Sequence, residues 1–140
     1  MILLDTTVLL YAVGGDHPLR APARRVITAI GDGHLAATTT PEVLQEFTHV
    51  RARRRGRADA VALAQDLATL LTPLTVVSAD DLRRGLRTFE GAEQLGCFDA
   101  VLVAVARRSE ALLVSADRVL LAAMGEWAVG LDDRRWDELA

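Results

Sequence analysis

Four acidic residues stand at positions from which their side chains could meet. Asp5 follows the first predicted strand and Asp117 follows the fourth, and ligands of open parallel sheets bind beyond the carboxyl ends of the strands. Asp99 opens a predicted buried helix, and Glu46 lies one turn into a helix of its own. Carboxylate oxygens are hard ligands that suit Mg²⁺ or Mn²⁺, and four crowded carboxylates repel one another without a cation. The placement therefore predicts a divalent-metal site.

A helical wheel separates Glu46 from its neighbour Glu42. At about 100° per residue, Glu46 lies about 90° from the centre of the apolar stripe of this helix, and Glu42 about 130°. We therefore expect Glu46 to border the buried face and Glu42 to point further into solvent. A carboxylate in the first turn, such as Glu42, favours the helix dipole in any case. Glu46 is thus the predicted ligand.

Each acid also has an ordinary structural interpretation. Asp5 could be a turn residue at a strand end, and Asp99 and Asp117 could each cap a helix. Glu46 could be a salt-bridge partner at the boundary of its helix. The joint placement of the four is what favours the metal site over these separate interpretations.

Alternating strands and helices position these acids. Short apolar runs predict strands at 1–4, 35–38, 74–77, 111–114 and, at an edge, 127–131. Apolar spacing and propensity predict helices at 19–30, 58–71, 80–89, 99–107 and from Asp117 to about residue 124. A further helix begins at Thr40, a typical N-cap, with Pro41 in its first position, and runs into an arginine-rich segment. The alternation predicts one α/β domain, residues 1–140, with a mainly parallel sheet of four to five strands.

The composition is that of one globular domain. The 140 residues are 51% hydrophobic and 25% charged, no apolar run approaches the roughly 20 residues of a membrane span, and we expect no secretory signal. The net charge of −3 excludes nucleic-acid binding through a uniformly basic surface, so such binding needs a local basic patch, a metal, or both. The lone Cys97 has no partner for an internal disulfide, which favours a reducing cytoplasm.

Four segments together resemble the PIN domain: MILLDTT at the start, EVLQEF, CFDAVLVAVA and LLVSAD. Each motif alone is weak, but four in this order with suitable intervals are fairly specific. The resemblance covers residues 1–131. A lone domain of this length is similar, more narrowly, to the toxin half of a VapBC toxin–antitoxin pair.

The resemblance implies an α/β/α sandwich and an acidic quartet that binds Mg²⁺, with Mn²⁺ as a possible substitute. Carried over by position, the quartet is Asp5, Glu46 in VLQEF, Asp99 in FDA, and Asp117, the least secure of the four because the later acidic positions of the family vary. Thr6 and Ser115 would support them. The implied reaction is RNA cleavage by in-line attack of water, leaving a 5′-phosphate and a 3′-hydroxyl. The implied partners are RNA and a VapB-type antitoxin, with no membrane.

A run of arginines follows the Glu46 helix: Arg51, Arg53, Arg54, Arg55 and Arg57. These residues could form the local patch for RNA phosphates that the net charge lacks. They could equally be a solvated helix end, where cations favour the dipole, or a surface that acidic groups of the antitoxin neutralise.

The aromatic side chains and the apolar surface give two further expectations. Tyr11, Phe47, Phe89 and Phe98 are expected to fill the core rather than stack on bases. Short edge elements with Trp127 and Trp136 are expected to leave apolar surface exposed, which predicts a homodimer bound to a small antitoxin.

Three other functions fit parts of the sequence. A haloacid-dehalogenase-like phosphatase also has an aspartate after its first strand, but it needs a second one two residues later, where this chain has Thr7. Glu46-x-x-His49 has the spacing of a di-iron ligand pair, but such sites need that pair twice on a helical bundle. The third is a PIN-like module that binds RNA or a partner without cleaving, which the intact quartet argues against.

Overall fold

The protein forms a parallel sheet flanked by helices. The computed structural model describes residues 1–139, and this part of the chain contains four strands, seven α-helices and two 3₁₀ helices. The strands are β1 (Ile2–Leu4), β2 (Ala37–Thr38), β3 (Leu112–Ser115) and β4 (Ala128–Gly130). The α-helices are α1 (Thr6–Val13), α2 (Arg20–Gly31), α3 (Pro41–Arg55), α4 (Arg57–Leu70), α5 (Ala79–Gly91), α6 (Cys97–Arg108) and α7 (Arg118–Met124). The 3₁₀ helices are Gly125–Trp127 and Asp137–Leu139. The predicted α/β fold class is confirmed.

The sheet brings the ends of β1 and β3 together. Its strand order is β2-β1-β3-β4, and every pair is parallel, with Leu3 opposite both Thr38 and Leu113. The amide of Asp5 donates to the Val114 carbonyl at 3.0 Å, which extends the pairing one residue beyond β1. Because the strands are parallel, their carboxyl ends share one edge of the sheet, and Asp5 and Asp117 both emerge there.

The central strands and α6 are buried on nearly all sides. All three residues of β1 are completely shielded from solvent, as expected for parallel strands covered on both faces. The interior of α6 is similarly buried from Leu102 to Ala106, which confirms the prediction of a helix packed between layers. No helix within residues 1–139, α6 included, is both long and apolar enough to cross a membrane.

The segment after Asp5 forms helix α1, although the sequence patterns predicted no helix between residues 5 and 18. Asp5 is the N-cap of α1, and its Oδ1 accepts a hydrogen bond from the Thr6 amide at 2.7 Å. The residues that follow are apolar and β-branched, with Val8 and Leu9 completely buried. Burial therefore stabilises a helix that intrinsic propensity would disfavour.

The predicted strand at 74–77 is wrong. These residues make no ladder with any strand of the described chain, and Val76 is 71% exposed. One backbone hydrogen bond, from the Thr75 amide to the Thr39 carbonyl at 2.9 Å, holds the segment beside the end of β2. The β-branched composition indicated a strand, but β-propensity depends on neighbouring strands, and no strand of the described chain pairs with this segment.

The two tryptophans differ in exposure. Trp136 is 1% exposed and its Nε1 donates to the Leu131 carbonyl at 3.1 Å, so the expectation that it lies on the surface is wrong. Trp127 is 41% exposed, as expected. Trp136 thereby fixes the chain after β4 against the core.

Candidate active site

Asp5 is the most firmly held of the four acids. It is 3% exposed, and its second carboxylate oxygen, Oδ2, accepts hydrogen bonds from the hydroxyls of Thr7 and Ser115, both at 2.7 Å. The Thr7 hydroxyl also accepts the Ala116 amide at 2.9 Å. This network links the end of β1 to the end of β3 and fixes the direction of the Asp5 carboxylate.

Glu46 reaches the same edge of the sheet from α3. Thr6, the first residue of α1, donates its hydroxyl to Oε2 of Glu46 in a short hydrogen bond. The predicted N-cap of this helix is confirmed, since Thr40 accepts the Val43 amide and Pro41 opens the first turn. Thr6 therefore joins α1 to α3 at the point where Asp5 and Glu46 approach each other.

Asp99 lies in the first turn of α6 and is not its cap. The N-cap is Gly96, which makes no side-chain capping bond. Burial, together with the charges of Asp5, Asp117 and Glu46, raises the pKa of Asp99 from 3.8 to about 6. A carboxyl group whose ionisation is opposed by three other acids lies in a shared field of negative charge.

Asp117 caps a helix and also lies near the other acids. It is the N-cap of α7, and its Oδ1 accepts the amides of Val119 and Leu120 at 2.8 and 3.2 Å. Its own amide donates to the Ser115 hydroxyl at 2.9 Å. The capping interpretation thus holds for Asp117, while its charge also acts on Asp99.

The donor set suits a divalent cation in its chemistry. Asp5, Glu46, Asp99 and Asp117 are all hard oxygen donors, and no arginine or histidine within residues 1–139 forms an ion pair with any of them. The four carboxylates are farther apart than the ligands of a bound ion would be. No three acidic, histidine or cysteine side chains of the described residues lie close enough together to hold an ion. The chemistry of these donors fits a divalent cation.

The expected exposures of the two glutamates on α3 are reversed. Glu46 is exposed, whereas Glu42 is half-buried and its Oε2 is shielded from solvent. Glu42 lines a cavity together with residues 77–79, Leu82 and Phe98, which come from distant parts of the chain. A helical wheel describes α3 alone and contains no information on residues that approach α3 from elsewhere in the chain.

One arginine of the run packs against other helices, and the remaining four are exposed. Arg51 is bound by Asp59 through two nitrogens and donates to the Val13 carbonyl at 3.2 Å, so it joins α1, α3 and α4. Exposed positions are occupied by Arg53, Arg54, Arg55 and Arg57. Arg54 lines a cleft of about 390 Å³ with Thr7, Tyr11 and His17, which leads from the Asp5 network to the end of α3.

Sequence reasoning missed Thr7 and misplaced two aromatic residues. Thr7 was considered only as a missing second aspartate, although a hydroxyl two residues after a strand-end acid can bond that acid. Phe47 fills the core as expected, but Phe89 and Phe98 are 46% and 37% exposed. Phe98, which precedes Asp99 in the chain, therefore presents part of its ring to solvent.

Comparison with known proteins agrees with this geometry. The model of the PIN domain matches residues 2–125. Ribonuclease VapC7 of Mycobacterium tuberculosis is 51% identical over 122 residues, covering 84% of this chain and 82% of that protein. Ribonuclease VapC23 of the same species is 32% identical over 108 residues, covering 77% and 85%. The chain belongs to the PIN-domain family and, within it, to the VapC ribonucleases.

Solved structures share the fold. VapC20 of Mycobacterium tuberculosis, described as a toxin that cleaves the sarcin–ricin loop, superposes with a TM-score of 0.74 at 21% identity, covering 88% of this chain and 95% of that one. PAE2754 from Pyrobaculum aerophilum gives a TM-score of 0.67 at 23% identity, covering 99% and 93%. At these identities the likeness establishes the PIN fold alone.

Proposed function

We propose that this chain is the toxin of a type II toxin–antitoxin pair, a Mg²⁺-dependent endoribonuclease that hydrolyses RNA phosphodiester bonds. One observation carries the proposal: Asp99 lies near three other acids at the carboxyl edge of the sheet, and burial together with the charges of Asp5, Asp117 and Glu46 raises its pKa to about 6. The names of the VapC relatives support a ribonuclease. The lone Cys97 keeps the cytoplasm as the expected location.

The side chains have separable roles in this proposal. Asp5 and Asp99 are the central ligands, and Glu46 and Asp117 complete the set or orient the attacking water. Thr6, Thr7 and Ser115 hold the carboxylates in place through their hydroxyls. When bound, Mg²⁺ supplies charge stabilisation at the attacked phosphate and acidifies water.

RNA contacts are proposed for the exposed end of α3. Arg53, Arg54, Arg55 and Arg57 supply positive charge that the chain as a whole lacks, and phosphate contacts of this kind position a nucleic acid without reading its sequence. Arg54 is the best placed, since its cleft includes Thr7 of the Asp5 network. Arg51 is excluded from this set because it forms an ion pair with Asp59.

Two protein partners are also proposed. The first is a VapB-type antitoxin, which the VapC relatives imply. The second is another copy of the chain, because α5 exposes an apolar stripe. We call Leu82, Leu86 and Phe89 the α5 stripe; each is close to half exposed, and their spacing of four and three residues places them on one helix face.

The test is cleavage of total cellular RNA by the purified, antitoxin-free chain. The wild type with Mg²⁺ should give discrete fragments with 5′-phosphates, and EDTA should abolish them. Asp99→Asn should be inactive while its circular dichroism matches the wild type. Asp66→Asn, an exposed acid on α4, is the matched control and should cleave normally.

A silent PIN-like binding protein is the second candidate. The observation that favours it is the wide spacing of the four acids, which form no ready coordination sphere within residues 1–139. Folded wild-type protein that binds RNA or its partner but cleaves nothing with Mg²⁺ or Mn²⁺ would establish this candidate and overturn the nuclease.

A further inference from the structure

A cleft lies beside the Asp5 network, between α1, the turn after α1 and the end of α3. It measures about 390 Å³, and Thr7 and Arg54 are among the residues that line it. Thr7 also donates its hydroxyl to Oδ2 of Asp5 at 2.7 Å, so a single side chain separates the cleft from that carboxylate. Its volume falls in the range of about 300–1,000 Å³ that is usual for the binding of small ligands.

Two aromatic rings line this cleft together. The ring centroids of Tyr11 and His17 lie 4.5 Å apart, with 30° between the ring planes, which is a stacking distance. His17 Nδ1 accepts a hydrogen bond from the Leu19 amide at 3.1 Å, so the backbone as well as Tyr11 fixes the His17 ring. His17 is exposed, and part of the stacked pair is therefore open to solvent. We call this region the Tyr11–His17 cleft.

The lining of the Tyr11–His17 cleft carries one charge of each sign. Arg54 is exposed and forms no ion pair within residues 1–139, and Asp16 supplies the negative charge. Because the two charges balance, the cleft does not attract a polyanion by charge alone, and Asp16 disfavours a second phosphate. The ligand that fits combines a single anionic group with a flat ring.

A nucleotide has both of these features. Proteins bind single-stranded nucleic acids by stacking bases on aromatic side chains while cationic side chains contact the phosphates. A ring that is already held in place, as His17 is, needs little further ordering to accept a base, which favours binding. The bases of a duplex are stacked on each other instead, so only an unpaired base has a free face to offer.

We propose that the Tyr11–His17 cleft binds one unpaired nucleotide of the RNA close to the cleaved bond, with its base stacked on His17 and its phosphate bound by Arg54. The assignment rests on the proposed function for RNA as the ligand. Because every base has a face that can stack, the cleft selects an unpaired nucleotide rather than a particular base. Tyr11 and His17 then act in substrate selection, separately from the acids of the metal site.

The first test measures RNA binding without cleavage. The probe is fluorescent pentauridine, titrated in EDTA by fluorescence anisotropy against protein that carries Asp99→Asn. Adding His17→Asn removes the ring, while the asparagine oxygen can still accept the amide two residues on. The affinity should fall about 5- to 100-fold, the range expected for one lost stacked base. His17→Phe retains a ring and should keep most of the affinity.

The phosphate contact has its own measurement. Arg54→Gln should lower the slope of log affinity against log salt concentration by about 0.7, the value for one phosphate contact on a single strand. Arg87→Gln, which changes an exposed arginine on α5, is the matched control and should leave the slope unchanged. An unchanged slope in Arg54→Gln would overturn the assignment of the phosphate.

An abasic nucleotide, moved through the probe, locates the stacked base. At one position it should weaken binding and cancel the effect of His17→Asn, while the effect of Arg54→Gln persists. Binding of duplex RNA should not respond to His17→Asn. Equal affinity of His17→Asn and its parent, or equal losses in His17→Asn and His17→Phe, would overturn the stacking role. Normal RNA binding with loss of co-purified antitoxin in His17→Asn would assign the cleft to the antitoxin instead.

Cleavage kinetics distinguish this proposal from the nuclease itself. With Asp99 intact and Mg²⁺ present, His17→Asn should raise KM for single-stranded RNA and change kcat little. Metal-dependent cleavage with an unchanged KM in His17→Asn would reject the cleft and keep the nuclease. Ring-dependent binding of the probe, with no cleavage under any metal, would keep the cleft and reject the nuclease.

Discussion

The acids at the carboxyl edge of the sheet differ in how they are held. Asp5 and Asp117 each accept backbone amides and cap helices α1 and α7, so they contribute to the fold as well as to the site. Asp99 does not cap α6, and its ionisation is opposed by burial and by three neighbouring carboxylates. The charge at Asp99 is therefore unfavourable for the fold and useful only when a cation is present.

Asp99→Asn should stabilise the metal-free protein near neutral pH. Folding raises the pKa of Asp99 from 3.8 to about 6, so its contribution to stability is present below the lower value and is lost as pH rises through the upper one. In EDTA at about pH 7.5 the variant should be more stable than wild type by on the order of 1–3 kcal/mol, and the gain should disappear at about pH 4. Urea unfolding at both pH values measures this.

As the control, Asp66→Asn should show the same difference in unfolding free energy between the two pH values as the wild type. Saturating Mg²⁺ should stabilise the wild type more than Asp99→Asn. A variant that is destabilised in EDTA near neutral pH would show that the charge of Asp99 supports the fold.

Removing the Thr7 hydroxyl should weaken the site without unfolding it. Thr7→Val removes a hydrogen bond to Asp5 Oδ2 and the acceptor for the Ala116 amide. Loss of such a supporting group typically lowers metal affinity or activity by about 10- to 100-fold. The measurement is cleavage rate against Mg²⁺ concentration, in which the half-saturating concentration should rise.

Thr7→Ser keeps the hydroxyl and should restore most of the Mg²⁺ response. Thr28→Val, at an exposed position of α2, is the control. Equal Mg²⁺ curves for Thr7→Val and wild type would remove Thr7 from the positioning of Asp5.

The sequence predicted the location of an acid correctly where that location depends on its place in a strand or helix. Acids at strand ends and helix starts could be assigned, since the topology of a parallel sheet gathers them at one edge. The environments of Glu42 and Glu46 could not be predicted, because the residues that share a cavity with Glu42, namely 77–79, Leu82 and Phe98, come from distant parts of the chain. Helical spacing describes one helix and carries no information on what packs against it.

At the scale of elements, α5 sets the position of α6 and hence of Asp99. The two helices are in close contact at Gly85, which is buried. A Cβ on Gly85 would lie 2.6 Å from Cγ2 of Val101 and 2.7 Å from its Cα. Since the nearest atoms include backbone, the contact has little room to adjust.

Gly85→Ala should therefore push α5 and α6 apart. Overpacking of this kind destabilises a protein by about 1–3 kcal/mol, and the displacement of α6 should also lower the cleavage rate. Gly91→Ala, on the same helix with no atom within 4 Å of the added Cβ, is the matched control and should be close to neutral. Thermal unfolding and cleavage rates of the pair measure both effects, and equal behaviour of the two variants would contradict the close contact.

The elements that sequence patterns mispredicted are those decided by tertiary burial. Residues 6–13 are β-branched and apolar yet form α1, because the Asp5 cap and burial of Val8 and Leu9 outweigh propensity. Residues 74–77 have a strand composition yet pair with no strand of the described chain. Both segments are short, so local preference is a weak signal for either.

At the scale of the whole molecule, the exposed arginines and the exposed apolar residues of the α5 stripe lie on different helices. The exposed arginines lie at the end of α3, whereas the α5 stripe is a separate apolar surface. An exposed apolar patch on a soluble domain commonly marks a protein interface. The proposed self-association would therefore use the α5 stripe, and the proposed RNA contacts would use the arginines.

Leu86→Asp should shift the chain toward monomer. The change places a charge at the centre of the α5 stripe, where Leu86 is 46% exposed, so folding should be little affected while burial in an interface becomes unfavourable. Sedimentation equilibrium measures the association constant. Val61→Asp, at a similarly exposed position of α4, should leave it unchanged, and an equal effect of both variants would remove the α5 stripe from the interface.

The absence of a capping role for Asp99 has a genetic consequence. In cells that express the toxin without its antitoxin, survivors carry mutations that abolish the activity. Changes of Asp5 or Asp117 to residues other than Asn, Ser or Thr also remove a helix cap and expose the chain to proteolysis, so these survivors should contain little protein. Survivors with a neutral residue at position 99 should accumulate a full-length, folded chain. Such a chain would still sequester antitoxin, and it would therefore release intact toxin in any cell that carries both copies.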